Sequence, residues 1–518
     1  MNTCYDIAVV GSGFAGSLMA MIARRMGHSV VLLERGKHPR FAIGESSTPL
    51  SNLLIENIAN RYDLPRIKPF SKWGTWQESY PNITCGMKRG FTFYHHQLGH
   101  PQGPDPDRQR QLLVAASPHN NIADTHWFRS EFDEMLVHEA QSLGINYFDE
   151  VKLNGFIDNG EFVTLSGTRN EQSVTFPAKF VVDATGPRGF LHRALSLSER
   201  LIPNYPSTQA LFSHFTNVKR LDEALSHSTS EAPPYPVDDA AVHHIFDGGS
   251  IWVLHFGNGI TSAGVAATDE AFARLQLADG EVAWKQMLKS IPELQEQFMN
   301  AKAERSFTHV KQLSFLSNAM HGQRWTLLPS AAGFVDPLLS TGFPLTLLGI
   351  RRLGEILQND WGTPRFHTNL QGYEDQTNGE ILAASRLLSG LYANMNCFPV
   401  FTALSLLYFA AASFSETAMR LNKDHLATSF LLHDHPFFGS ACSKLLERSH
   451  HLSTKQQASR FMEDVLHTIE PIDVAGLCNR QRRNWYPVDA EDLIRSAPKV
   501  EATKDEILHL LRSCGFYQ

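Results

Sequence analysis

Cys4-Tyr-Asp-Ile-Ala-Val-Val-Gly11-Ser-Gly13-Phe-Ala15-Gly16 opens the chain as a short apolar run ending in three spaced glycines. Such a run entering a glycine turn is the pattern of a buried parallel strand. Gly11 lets the chain turn, Gly13 lets backbone approach a pyrophosphate, and Gly16 lets the next helix pack on the strand. The helix predicted from Phe14 to about Met26 points its free N–H groups and positive dipole end at the phosphates. A second strand, Ser29-Val-Val-Leu-Leu-Glu34, follows at once. Glu34 stands where an acid accepts hydrogen bonds from an adenosine ribose, which argues against a 2′-phosphate and so against NADP.

Two later segments favour FAD over NAD. Phe180-Val-Val-Asp183-Ala-Thr-Gly186 is another apolar strand ending in a glycine turn, and Gly333-Phe-Val-Asp336-Pro337 follows the run Trp325-Thr-Leu-Leu-Pro329. A carboxylate in the position of Asp336 either caps a helix or accepts from a ribityl hydroxyl. Cys-Gly-Met-Lys88-Arg-Gly, at 85–90, sets one lysine between two glycines and offers a candidate reactive amine.

Composition fits an intracellular enzyme. A chain of 518 residues exceeds one ordinary domain. Its net charge of -7 gives no basic footprint for nucleic acid. The six cysteines (Cys4, Cys85, Cys397, Cys442, Cys478 and Cys514) form no CxxC pair, which favours reduced thiols in a cytoplasmic setting over disulfides or a metal site. The N-terminus runs straight into a strand, so no signal peptide is expected. Between Arg386 and Glu416 no residue is charged. Asn394, Asn396 and Pro399 interrupt the stretch, so it reads as a buried helix, one that could line a substrate chamber, rather than a stable membrane insertion. Residues 99–118, rich in Pro, Gln and Asp, read as an exposed loop.

With these residues in view the chain resembles the flavin-dependent halogenases, the family of tryptophan, pyrrole and phenol halogenases. The resemblance rests on GSGFAG, HPRFAIGESSTP at 38–49, CGMKRG, HWFRSEFD at 126–133, VVDATG at 181–186 and GFVDPLLSTG at 333–342, which run in family order. CGMKRGFTFYHH and HHIFDGGSIWV look closest to the halogenases of free phenolic rings, such as the phloroglucinol type. The resemblance implies an α/β fold: a Rossmann-type FAD-binding domain of the flavin monooxygenase/halogenase type, interleaved with a β-sheet substrate domain and followed by a helical C-terminal region. The expected parts are 1–190 for the first FAD-binding segment with the lysine, 191–304 for the substrate sheet, 305–385 for the returning FAD segment, and 386–518 for the helices.

The family resemblance also implies roles. FAD, as FADH2, is held by Gly11, Gly13, Ala15, Gly16, Glu34, Arg40, Glu45, Arg129, Asp183, Gly186 and Asp336. Ser340, Thr341 and Gly342 take chloride or bromide. Reduced FAD and dioxygen oxidise the halide, and hypohalous acid crosses a tunnel to Lys88, the expected catalytic residue. The segment around Gly44 and Glu45 is a strap between flavin and substrate sites, although Glu45 could instead cap the helix beginning near 46–48. Arg129 orients the flavin domain or its cofactor, with an i,i+4 pair to Asp133 as the plain alternative. One dinucleotide motif implies a separate NAD(P)H-dependent flavin reductase as partner, with a small aromatic substrate; a homodimer is left open.

Two departures shape the expected substrate. Tryptophan halogenases carry glutamate directly before the serine of the halide motif, where this chain has Leu339. The WxWxIP signature is reduced to Ser250-Ile-Trp252-Val-Leu-His255. An electron-rich phenol activates its own ring, so a phenolic substrate is expected, and a flavin-dependent aromatic monooxygenase is the alternative.

Overall fold

The computed structural model describes residues 4–100, 103, 105–222 and 231–517. The opening apolar run is the strand Tyr5–Val10, at the centre of a parallel sheet between Val30–Leu33 and the end of the long strand Gln172–Asp183. Val10 is in register with both Leu33 and Asp183, and Asp183 with Leu327 of the next strand out. Four strands therefore end at one level, where Gly11, Glu34 and Ala184 leave the sheet. This carboxyl edge is the crevice in which open α/β sheets bind ligands. The helix Phe14–Arg25 leaves the same edge and buries every residue from Phe14 to Ala23.

A nine-stranded sheet forms the second layer. Its central strands Thr208–Thr216, Ala241–Phe246, Gly249–His255 and Thr261–Thr268 lie within the expected substrate segment. The sheet is wider than 191–304, however. Gly90–His95 pairs in parallel with Ala241–Phe246, Gln111–Ala115 extends it, and Trp485–Tyr486 closes the edge. Residues 111–115 are thus a strand rather than loop, and the expected boundary at 190 is crossed. Period-2 alternation divides this sheet's residues between two cores. Leu211, Val242, Ile251 and Val253 face the helices at 269–297, whereas Phe91, Phe93, Phe212 and Trp252 face the main core shared with the flavin-type domain.

The boundary at 385/386 also falls inside an element, the helix Arg365–Ala393. A break at Asn394 and Cys397 precedes the apolar helix Phe398–Arg420, whose Pro399 sits in the first turn, where no intrahelical N–H is lost. Among the described residues this is the one helix long and apolar enough to cross a membrane, with mean hydropathy 1.6, yet 83% of that window is buried within the protein. The helix Lys455–Ile469 packs on it, and Phe438–Ser449 packs in turn on Lys455–Ile469 and on Arg365–Ala393.

Two of the turn's three glycines tolerate nothing larger. A Cβ on Gly16 would lie 1.8 Å from the Gly11 carbonyl oxygen, and a Cβ on Gly11 2.7 Å from that of Ala184. Gly16→Ala should therefore destabilise the fold by roughly 1–3 kcal/mol, as overpacking does, and weaken flavin uptake; a urea midpoint equal to wild type would contradict this packing.

Candidate active site

The glycine turn presents a built anion cradle. The helix Phe14–Arg25 has no side-chain cap at Gly13 and no acid in its first turn, so its leading N–H groups are open to an anion. Above Gly13 two guanidinium groups and one carboxylate converge: a Cβ there would lie 3.4 Å from Nη2 of Arg129, 3.5 Å from Nη2 of Arg40 and 3.6 Å from Oδ2 of Asp133, the partner of Arg129. Glu34 lies beside them, accepting from the Ser12 N–H at 2.9 Å and the Gly36 N–H at 2.9 Å, with Arg40 at 3.3 Å. Burial opposes its charge, but Arg40 and these donors together hold its carboxyl below the usual range. N–H groups and two cations at a turn open to backbone approach fit a dinucleotide pyrophosphate, and Glu34 fits the adenosine ribose.

Not every expected contact has this form. The Asp183 carboxylate accepts from Thr185 and from the Leu191 N–H at 2.6 Å, so it organises its own turn and the following helix. Gly186, at φ +77°, completes that turn. Asp336 is likewise engaged, by the hydroxyls of Tyr392 at 2.8 Å and Tyr205 at 3.1 Å and by the Leu338 N–H at 3.0 Å. Burial pushes its carboxyl up to about 6.

The strap joins this cradle to the lysine. Arg129 grips Asp133 with two hydrogen bonds of 2.8 Å and also donates to the Gly44 carbonyl at 2.8 Å, so the i,i+4 pair and an orienting role coexist. Glu45 does not cap a helix. Its carboxylate meets His214 Nε2 at 2.8 Å, and Thr48 is the cap of the helix Pro49–Arg61. Residues 45–47 run along the strand Asp124–Trp127, with Glu45 O accepting from Trp127 N and Ser47 N donating to Thr125 O.

On the other side of that strand lies Cys85–Lys88, with Lys88 in register opposite Asp124. The flanking glycines make this approach possible: a Cβ on Gly86 would meet the His255 carbonyl at 2.0 Å and one on Gly90 that of Val114 at 2.2 Å. Lys88 is fully buried. Its Nζ donates to Ser46 Oγ at 2.9 Å and Ser47 O at 2.5 Å and stands 3.8 Å from the centre of the Phe91 ring. Burial lowers its pKa, against the opposing pull of Asp124, and so favours the neutral, nucleophilic amine.

Phe91 and Asp124 also line a cavity of about 200 Å³. Tyr408, Phe409 and Ala412 of the apolar helix form one wall, and Leu510 and Phe516 at the C-terminus close another. A cavity of roughly 150 Å³ takes a benzene ring, so this chamber suits a single aromatic ring against Phe91 and Asp124, the two neighbours of Lys88 on its wall. Pro344, just after the motif expected to hold the halide, reaches the same chamber. In that motif Leu339 and Ser340 both have left-handed backbone, at φ +63° and +53°. The helix Gly342–Asp360 then begins with no side-chain cap at Thr341 and no acid in its first turn.

Comparison with known proteins gives the family. A family model described as FAD dependent oxidoreductase matches residues 6–194, and one described as tryptophan halogenase matches residues 117–396. The chain belongs to the tryptophan halogenase family. It is 30% identical over 378 residues to tetracycline 7-halogenase of Kitasatospora aureofaciens, a match covering 70% of this chain and 66% of that protein. With the monodechloroaminopyrrolnitrin halogenase PrnC of Pseudomonas fluorescens it shares 27% identity, covering 70% of this chain and 64% of that one. The chain thus spans just under two thirds of the length of these relatives. In fold it is similar to halogenase PltM in complex with phloroglucinol and FAD, with TM-score 0.79, 22% identity and coverage of 92% and 99%.

Among the residues of this halogenase-family site, sequence reading missed Ser46, Ser47, His214 and Asp124. The two serines lie inside the quoted GESSTP block, and their hydroxyls beside Glu45 were the available signal. His214 and Asp124 carry none, because strand pairing alone brings them in.

A lysine whose pKa falls on folding costs stability while the unfolded chain holds its proton, and that cost is relieved as pH rises toward the ordinary lysine value of 10.5. Wild type should therefore gain thermal stability relative to Lys88→Met between about pH 8 and pH 10. Parallel melting curves would show Lys88 to be freely solvated.

Proposed function

We propose that this protein is an FADH2-dependent halogenase that chlorinates or brominates an electron-rich, phenolic aromatic through hypohalous acid relayed to Lys88. The observation that carries the reading is a fully buried lysine whose neighbours Phe91 and Asp124 line an apolar ring-sized chamber, tied by the strap 43–47 to the phosphate cradle. Bound reduced FAD supplies the activation of dioxygen that oxidises halide; an NAD(P)H-dependent flavin reductase supplies the reduced flavin.

The chain's own residues divide the work. Gly11, Gly13, Ala15 and Gly16 leave room for the pyrophosphate, Arg40 and Arg129 neutralise it, and Glu34 takes the ribose. The strained turn at 339–340 and the uncapped N–H groups beyond it suit a weakly hydrated halide, because they donate without a full opposing charge. Lys88 holds the hypohalous acid, either by donating from its ammonium or by forming a haloamine, and its full burial keeps water away from it. Leu339 is fully buried and offers no carboxylate to an indole. A phenol needs none there, since its oxygen directs halogen to the ortho and para carbons.

The test uses purified protein with FAD, a flavin reductase, NADH and either halide, with a resorcinol-type phenol and tryptophan in competition. The expected product is a halogenated phenol whose mass shifts when bromide replaces chloride. Lys88→Ala should lose this product while FAD binding and oxygen consumption continue. Preferential halogenation of tryptophan, or a hydroxylated phenol without halogen, would overturn the reading, the latter in favour of a monooxygenase.

A further inference from the structure

Asp124 is a buried acid that the chemistry above does not use. It is 5% exposed, faces Lys88 across one pair of antiparallel strands and lines the chamber. Its Oδ1 accepts from Asn52 Nδ2 at 2.8 Å, while its Oδ2 is buried without a partner. The chamber's other carboxylates are engaged: Glu416 is paired with Arg420 at 2.8 Å on the same helix, and Asp489 accepts from the Glu491 N–H at 2.9 Å and lies 3.4 Å from Arg482. A buried acceptor without a donor costs free energy unless something supplies one, and the remaining surroundings of Asp124, Phe91 and Tyr408 among them, are those of an aromatic slot.

We propose that Asp124 is the acceptor for the ring hydroxyl of the substrate and the base that ionises it while Lys88 presents the halogen. The proposal rests on the halogenase reading and names what that reading leaves open: the protein group that selects a hydroxylated ring. It also locates the missing carboxylate. The acid that tryptophan halogenases carry in the position of Leu339 is here replaced by Asp124, which lines the chamber and stands opposite Lys88 in strand register.

The step balances with hypochlorous acid as the oxidant. The Asp124 carboxylate takes the hydroxyl proton as the substrate O–H bond breaks. The released electron pair enters the ring, and a ring carbon bonds to chlorine as the Cl–O bond breaks, so carbon is oxidised and chlorine reduced. The departing hydroxide takes a proton from the Lys88 ammonium and leaves as water. The ring then loses its C–H proton to the Lys88 amine, and Asp124 returns its proton to the substrate oxygen. Both side chains end as they began.

The experiment compares wild type and Asp124→Asn, each with FAD, reductase, NADH and halide, on ring-substituted phenols. Their acidities should run from a pKa of roughly 10, that of an ordinary phenol, down to about 7. With phenols of ordinary acidity the variant should lose roughly 100-fold in kcat, the scale of a missing general base. With phenols already ionised at the assay pH it should come within a few-fold of wild type. FAD binding and the yield captured by a soluble hypohalous-acid trap should not change. An equal loss across the series would make Asp124 only a prop for Lys88, and no loss would remove it from the reaction; either overturns the proposal. Should Asp124→Asn fail to retain FAD, Asn52→Ala carries the test, because it leaves the carboxylate and removes the donor that orients it. A several-fold loss confined to weakly acidic phenols is then expected, and a flat response overturns the proposal. Wild type that halogenates no phenol would instead sink the halogenase reading itself.

Discussion

The amine of Lys88 is buried without a formal salt bridge, and the site is arranged around that constraint. An unpaired charge in an apolar interior costs several kcal/mol or more unless donors are matched or the proton is released. Here three partial solutions act together. Ser46 and Ser47 accept from Nζ, the Phe91 ring offers its face, and Asp124 supplies an opposing charge across the strand pair. Two of the three come from parts of the chain far from the lysine. The amine can therefore be held only when strap, strand and sheet are all in place.

The strap gains a second meaning from this dependence. Its carbonyls at Ile43 and Gly44 accept from Arg129, whose guanidinium lies beside Gly13 in the phosphate cradle, and its Ser46 and Ser47 meet Lys88. Glu45, between them, is fixed to His214 on the substrate sheet. Five residues of backbone thus touch the cradle, the second sheet and the lysine. Changing the cradle's occupancy would act on Arg129 first, and the strap is the element that Arg129 holds.

What was legible in the sequence is what local patterns encode. The strand, turn, helix and strand from Tyr5 to Leu33 follow from apolar runs and glycine spacing, and Lys88 stands out because two glycines bracket it. The apolar block at 397–414 was legible as a buried helix because asparagines and a proline interrupt its approach. Boundaries in space were not. Gly90–His95 joins Ala241–Phe246 through parallel pairing over about 150 intervening residues, and no local period announces such a partner. The same holds for Trp485–Tyr486 at the far edge of that sheet. Asp124 was silent for this reason: it is one polar residue in a short strand, and only the register opposite Lys88 gives it a neighbour.

The turn at Leu339 and Ser340 shows how strain and anchoring support one another. Left-handed backbone at a residue with a side chain costs about 1–2 kcal/mol, and here two such residues adjoin. Strain of that kind persists only where surrounding structure over-determines it. Asp336 does so, taking the Leu338 N–H at the entry to the turn while two tyrosine hydroxyls, from Tyr205 and from Tyr392 on the helix Arg365–Ala393, fix its other oxygen. Tyr205 precedes the substrate sheet and Tyr392 ends the helix leading to the chamber, so the carboxylate ties the turn to both. Its rise to about 6 still leaves it charged at neutral pH, and a charged acceptor holds three donors more firmly than a neutral one. On the proposed reading, this is why an aspartate that resembles a cofactor ligand in sequence spends its oxygens on the protein: the halide turn needs a fixed scaffold more than the flavin needs another contact.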